Sequence, residues 1–219
     1  WTGPDMKSLD MSTKPEIYQK LTAAVEHPGV LILAGGRSTR MGSDKAAVTL
    51  DGKSLLLRAI DFWKTACPDA PIYVSAGQQE HQLSLPEGVT PVYDLIKDRG
   101  PMGGLQAAFR QCAQELLWVS AVDMPLLSSQ AVELLSKKRC HCEDACVFTH
   151  DGRPEPLLGL YRSTCLPVID GLLEVGENRM SALLDTVKAT RVPLKNTDWV
   201  RNVNTPQELA RLRQEQNHE

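Results

Sequence analysis

The stretch Leu31 to Val48, "LILAGGRSTRMGSDKAAV", decides how the chain is read. Its apolar opening stops at Gly35-Gly36, and Arg37, Arg40, Asp44 and Lys45 then crowd a segment with little apolar surface. A short apolar run ended by glycine is the pattern of a strand buried on both faces. In an open α/β sheet, ligands sit outside the carboxyl ends of such strands. Backbone without Cβ atoms turns sharply there and can point its amides at phosphate oxygens. The cations that follow would offset several negative charges. Together these features suit a triphosphate, although a tight turn carrying surface cations fits the same residues.

Working outward, the strand pattern recurs at Pro71–Ala76, Val89–Tyr93, Leu116–Val122, Ala145–Thr149, Leu157–Tyr161 and Arg191–Leu194, after the first run Val30–Ala34. Segments of helical period separate several of them: Ser54–Thr65, Met102–Glu115, Ser128–Lys138 and Thr164–Leu173. Apolar strands alternating with helices predict an α/β fold with a parallel sheet. Upstream, residues 1–12 read as an unstructured leader. Thr13-Lys14-Pro15-Glu16 then has the capping-box pattern, with Ile17, Leu21 and Ala24 at helical spacing. Residues 1–29 are therefore expected to be an N-terminal extension with a short helix, and 30–219 the main domain. A second capping box, Thr205-Pro206-Gln207-Glu208, predicts a closing helix packed through Leu209 and Leu212.

The bulk composition narrows the function classes. The 219 residues are 42% hydrophobic and 23% charged, which is the globular range. The net charge is -3, without the basic excess that gripping a nucleic-acid backbone calls for. No window reaches the apolar length of a membrane span and no signal pattern opens the chain, so the expected location is cytoplasmic, with neither nucleic acid nor membrane as a partner. The six scattered cysteines suit free thiols in a reducing compartment. Cys140, His141, Cys142 and Cys146 form a local cluster. Its adjacent residues would strain a tetrahedral metal site, and a thiol-rich surface loop is the favoured reading.

Two carboxylates add to the glycine turn. Asp94 follows the run Val89–Tyr93, and Asp123 follows Leu116–Val122. In a parallel sheet both lie on the edge that carries Gly35-Gly36. Hard oxygen ligands beside a triphosphate are what Mg²⁺ requires. A helix cap or an ordinary loop residue is the alternative for each. The loop Asp98-Arg99-Gly100-Pro101-Met102-Gly103-Gly104 then opens a helix, which suits close contact with a base or phosphate. Gly52-Lys53-Ser54 looks like the end of a Walker A loop, but Ala47 stands where that pattern needs glycine. Asp51-Gly52 is better read as a turn, with Ser54 capping the next helix.

Four segments in order, "LAGGRSTRMGSDKA", "DRGPMGGLQAAF", "VDMPLL" and "RNVNTPQEL", resemble the molybdenum cofactor guanylyltransferases, the MobA family of the nucleotidyltransferase superfamily. The likeness spans roughly Val30 to Leu212. It implies a Rossmann-like three-layer α/β sandwich with a mostly parallel central sheet. It also implies transfer of GMP from GTP to molybdopterin, giving the guanine dinucleotide and pyrophosphate with Mg²⁺.

By position, Leu33, Ala34, Gly35 and Gly36 match the family's nucleotide-binding turn, and Lys45 its phosphate-binding lysine. Asp94 matches a GTP-contacting aspartate, and Asp123 the aspartate that contacts GTP and Mg²⁺. Gly100, Pro101 and Gly103 fall in the glycine-rich loop assigned to GTP. Asn202 and Asn204 match the asparagines of the pterin side. Ser75 stands where some members carry a GTP-contacting asparagine. Arg179-Met180, after Gly176-Glu177-Asn178, resembles a flexible loop near the pterin. The loop Asp151–Pro156 reads as a hairpin turn or as a border of the acceptor site.

On this reading Arg40, Lys45 and Asp123 carry the catalysis. The cations stabilise the triphosphate and the departing pyrophosphate, and Asp123 holds the metal. The resemblance also implies protein partners: the enzyme that inserts molybdenum, and the apo-molybdoenzymes that receive the cofactor. The competing readings are a cytidylyltransferase for the same cofactor, a sugar-phosphate or isoprenoid nucleotidyltransferase, and a nucleotide-binding protein without chemistry.

Overall fold

The computed structural model describes residues 27–34, 48–77, 84–140, 142–203 and 205–216. The expected N-terminal helix, and with it the extension as far as residue 26, lies outside them. β1 (Gly29–Leu33) is buried along its whole length. Its side chains alternate between two cores. Val30 and Ile32 join one, and Leu31 and Leu33 the other. A strand covered on both faces has no polar side, which explains the unbroken apolar run.

A small antiparallel hairpin follows, β2 (Thr49–Leu50) and β3 (Lys53–Ser54). The sequence pattern offered only its turn at Asp51-Gly52. Next come α1 (Leu55–Ala66), β4 (Ile72–Ser75), β5 (Val89–Val92), α2 (Gly100–Gln111), β6 (Leu116–Ala121), α3 (Ser129–Lys138), β7 (Ala145–His150) and β8 (Arg153–Arg162). The chain finishes with α4 (Leu166–Glu174), α5 (Met180–Thr186), β9 (Ala189–Pro193) and α6 (Pro206–Gln216). Short 3-10 turns at Ser163–Cys165 and Thr197–Val200 sit between them.

The helix starts follow from local chemistry. Ser54 Oγ accepts the Leu57 N–H at 3.2 Å, and Ser128 Oγ accepts the Gln130 N–H at 3.2 Å. At α6 the capping box is reciprocal. Thr205 Oγ1 accepts the Glu208 N–H at 3.1 Å, and Glu208 Oε2 accepts the Thr205 N–H at 3.1 Å. Leu209 and Leu212 are buried, as their spacing predicts.

The main sheet has seven strands in the order β5-β4-β1-β6-β8-β7-β9. Every neighbouring pair is parallel except those made by β8, which runs antiparallel to β6 and to β7. The reversal comes from the tight turn after β7. Asp151 (φ 48°) and Gly152 (φ 73°) both adopt the left-handed region, which joins two antiparallel strands without splaying them. The hairpin reading of Asp151-Gly152 holds, with Arg153–Pro156 already part of β8.

Side chains from α1, α3 and α6 line the core on one face, and those from α2, α4 and α5 the core on the other. A buried polar link ties the first layer to the sheet: Trp63 Nε1 donates to Ser120 Oγ at 2.8 Å. On the opposite layer α2 reaches the outer strand. The Tyr93 N–H donates to Gln111 Oε1 at 3.3 Å, and Gln111 Nε2 donates to the Tyr93 carbonyl at 2.7 Å.

Residues 177–179 form an irregular approach to α5, and Met180 is buried in the first turn of that helix. Glu177 grips Arg179 through Oε2 to Nη2 at 2.5 Å and accepts its backbone N–H at 2.9 Å. That grip lowers the Glu177 carboxyl to a pKa of about 2.

Candidate functional site

The strand order contains a reversal. From β1 the chain steps outward to β4 and β5, then returns across β1 to form β6 on its other side. At such a switch point the connections leave in opposite directions and open a crevice at the carboxyl ends of the strands. The register aligns those ends. Leu33 pairs with Ala121 and with Ser75, and Ser75 with Val92. Asp123 and Asp94 each stand two residues beyond that row.

Leu33 and Ala34 close the centre of the row. The Leu33 carbonyl accepts the Val122 N–H at 3.1 Å, and the Ala34 N–H donates to the Ser75 carbonyl at 3.3 Å. The residues that continue this turn, Gly35, Gly36, Arg40 and Lys45, lie outside the described residues, as does Asn204.

Asp94 is fixed by its backbone, whose N–H donates to the Gly77 carbonyl at 2.7 Å. Its Oδ1 is buried without a hydrogen-bond partner among the described residues. Burial pushes the Asp94 carboxyl above its ordinary pKa, against the opposing pull of a hydrogen bond from the Ser75 hydroxyl. Ser75, itself buried, therefore supports Asp94 from the end of β4.

Asp123 is 7% exposed at the end of β6. Its carbonyl accepts the Val203 N–H at 2.8 Å, which ties the segment 201–203 to the chain just beyond β6. Asn202 comes with it, and its Oδ1 is also buried without a hydrogen-bond partner among the described residues. The structure thus groups Asp94, Ser75, Asp123 and Asn202 along one edge.

Gly100, Pro101 and Gly103 occupy the first turn of α2, which starts at Gly100 rather than at Met102 as the pattern predicted. Asp98 (φ 59°) and Gly100 (φ 58°) make the left-handed approach to that turn. The helix lies close to the sheet at Gly104. A Cβ there would stand 2.7 Å from Ser75 Oγ and 3.0 Å from Leu33 Cδ2. Glycine lets the amino end of α2 settle over the ends of β1 and β4, with its partial positive charge beside the crevice. The sequence reading names Gly100, Pro101 and Gly103 for ligand contact and gives Gly104 no packing role.

On the other face, a cleft of about 290 Å³ is lined by α1 and the segment after β6, including Lys53, Arg58, Phe62, Met124 and Pro125. Arg58 was not singled out from the sequence, and Lys53 only as part of the rejected Walker A pattern. Lys53 pairs with Asp61, and Arg58 Nη1 lies 3.9 Å from Asp51 Oδ2.

The donor set at the crevice edge suits a hard cation. Carboxylate and amide oxygens predominate, and Mg²⁺ is commonly held by one or two carboxylates plus substrate phosphates. Among the described residues, no group of three or more His, Cys, Asp or Glu could hold a metal alone. No helix among them is long and apolar enough to cross a membrane.

Comparison with known proteins adds a second line of evidence. A family model described as the MobA-like NTP transferase domain matches residues 30–191. A probable molybdenum cofactor guanylyltransferase of Mycobacterium tuberculosis is 32% identical over 180 residues, spanning 80% of this chain and 88% of its own length. One of Synechococcus elongatus is 34% identical over 197 residues, spanning 83% and 96%. Among solved structures, molybdopterin-guanine dinucleotide biosynthesis protein A of Archaeoglobus fulgidus aligns with a TM-score of 0.74 at 25% identity, over 87% of this chain and all of that one. The 2-C-methyl-D-erythritol 4-phosphate cytidylyltransferase of Thermus thermophilus shares the fold, with a TM-score of 0.61 at 16% identity over 87% and 99% of the two chains.

Proposed function

The chain belongs to the MobA-like NTP transferase family, and from that premise we propose that it transfers GMP from GTP to molybdopterin, releasing pyrophosphate. The observation that carries this reading is the pair of aspartates, Asp94 and Asp123, at the switch-point crevice of a chain whose guanylyltransferase relatives match it over four-fifths of its length.

The reaction joins two anions. A molybdopterin phosphate oxygen attacks the α-phosphorus of GTP in line, and pyrophosphate leaves from the opposite side. That oxygen is already ionised near neutral pH, so no general base is needed. The protein's work is positioning and electrostatics. The amino end of α2, opened by Gly100 and Pro101, faces the nucleotide with positive partial charge. Asp94, held by Ser75, offers its buried carboxylate oxygen to donor groups of the nucleoside. Asn202 lines the acceptor side.

Arg40 and Lys45 take the phosphate-neutralising roles that the family resemblance assigns them, Gly35 and Gly36 the backbone turn, and Asn204 the second pterin contact. Asp123 would be the protein ligand of Mg²⁺, which supplies charge neutralisation at the phosphates when bound. The molybdenum-insertion enzyme and the apo-molybdoenzymes are the corresponding donor and receiver of the pterin.

Pyrophosphate release with molybdopterin and Mg²⁺, compared across GTP, CTP, ATP and UTP, tests the proposal. Release with GTP alone is the expected result. A preference for CTP would keep the chemistry and replace the base assignment. No release with any nucleotide, from folded protein and active acceptor, would overturn it.

A further inference from the structure

Cys140 and Cys142 are both exposed, and their Sγ atoms lie 2.7 Å apart. We propose that they form a reversible dithiol–disulfide site that exchanges with low-molecular-weight disulfides. Three features of the fold support this.

The first is preorganisation. The Cys140 carbonyl accepts the Glu143 N–H at 3.3 Å, a turn closure beside which the two sulfurs lie next to one another. Both ends of that turn are anchored. The Arg139 N–H bonds the Leu135 carbonyl at 2.9 Å, and the Asp144 N–H bonds the Lys188 carbonyl at 2.8 Å. Arg162 Nε adds a bond to the Glu143 carbonyl at 3.0 Å. Closing a ring between residues already held together costs little further chain entropy.

The second feature is selectivity. Cys146 and Cys165 are buried, and desolvation pushes their thiols up to about 12. Cys112 is half-buried and pushed up to about 11 by the same cause, and burial also raises Cys67. Thiolates are the reacting species, so these four cysteines are poor nucleophiles near neutral pH. The exposed pair is where a small oxidant meets thiols freely.

The third feature is placement. The turn precedes Ala145, which pairs with Tyr161, and Tyr161 pairs with Leu117 near the start of β6. Asp123 lies beyond the other end of β6. The dithiol is therefore remote from the crevice, and its chemistry is independent of the nucleotide reaction.

The exchange balances in two steps. One thiolate attacks a sulfur of the small disulfide, forming a mixed disulfide and releasing one small thiolate. The second cysteine then attacks the protein-side sulfur, closing the Cys140–Cys142 bond and releasing the other small thiolate. The protein loses two electrons and two protons, and the small disulfide gains them as two thiols. Either cysteine can make the first attack, and the neighbouring sulfur, 2.7 Å away, resolves the mixed disulfide.

The test incubates the full, reduced chain with oxidised glutathione and reads intact mass and peptide maps. The expected product is a monomer lighter by two hydrogens, with Cys140 bonded to Cys142 and the other four cysteines still alkylatable after unfolding. Added dithiothreitol should restore the original mass. Cys142→Ser should stop at a glutathione adduct on Cys140. A stable glutathione adduct on the unsubstituted chain, a disulfide to any other cysteine, chains cross-linked through the turn, or no oxidation of the pair would each overturn the proposal.

Discussion

Asp144 and Asp94 occupy opposite ends of the same sheet, and their oxygens are used differently. Asp144, just before β7, spends both carboxylate oxygens on the protein. Oδ1 accepts from Thr164 Oγ1 at 2.6 Å, and Oδ2 accepts the Lys188 N–H at 3.0 Å. Its backbone carbonyl accepts the Arg162 N–H at 2.8 Å as well. Asp94, two residues beyond β5, keeps one oxygen buried and unbonded among the described residues, at a cost in solvation. A fold has no structural reason to keep such a group, whereas a binding site does. The two aspartates cannot be told apart by residue type; the use of their lone pairs distinguishes them.

The sharpest way to break this contrast is at the crevice. Asp123→Asn should lower kcat by about 10²-fold or more, since it removes the charge proposed to hold Mg²⁺ at the phosphates. The thermal midpoint should stay close to that of the unsubstituted protein. Steady-state pyrophosphate release paired with a melting curve reads both, and near-normal turnover would remove Asp123 from the chemistry.

Gly104→Ala should come next, because it affects both packing and site. The new Cβ falls 2.7 Å from Ser75 Oγ and must push α2 off the ends of β1 and β4. A stability loss of about 1–3 kcal/mol is expected from the overpacking. The KM for GTP should rise as Ser75 loses its alignment with Asp94. Denaturant unfolding and a GTP titration together check this, and a loss of stability with unchanged KM would detach Ser75 from the site.

At the opposite end, Asp144→Ala should cost about 1–3 kcal/mol for its two side-chain hydrogen bonds and leave kcat and KM unchanged. A fall in activity without a fall in stability would reverse the roles assigned to the two carboxylates.

The smallest effect is on Asp94 in the ligand-free protein. Burial raises its folded-state pKa, so the native state takes up a proton more readily than the unfolded state. Its contribution to stability is therefore lost as pH rises from the ordinary aspartate value through the raised one, and regained as pH falls. Asp94→Asn should then slightly raise the melting midpoint at neutral pH while weakening GTP binding roughly tenfold. A lower midpoint at neutral pH would mean that the carboxylate stabilises the fold.

Much of this arrangement was legible beforehand, and the rest was hidden for physical reasons. β1 is readable because both its faces are buried, so its apolar run has no polar interruption. Asp94 and Asp123 stand out because each follows such a run and precedes a break. The antiparallel course of β8 was available only through its turn, since pairing direction depends on a partner far away in sequence. The short helix α5 is absent from the sequence pattern because its seven residues give the periodicity too little length to register. The packing role of Gly104 is invisible in sequence, which does not distinguish a glycine that makes room for a ligand from one that makes room for a side chain. Asn202 was placed by family resemblance, while its proximity to Asp123 rests on one backbone bond from Val203 that no local pattern encodes.

The bonds from Gln111 to Tyr93 have a consequence beyond docking α2. β5 is an outermost strand, and such a strand normally displays donors and acceptors that invite another chain to add on. Val92 turns its carbonyl inward to Ala76, which leaves Pro91 and Tyr93 facing out. Pro91 has no N–H to display, and the Gln111 amide engages both polar groups of Tyr93 as a neighbouring strand would. At this end of β5 the backbone therefore displays few free groups to an added strand.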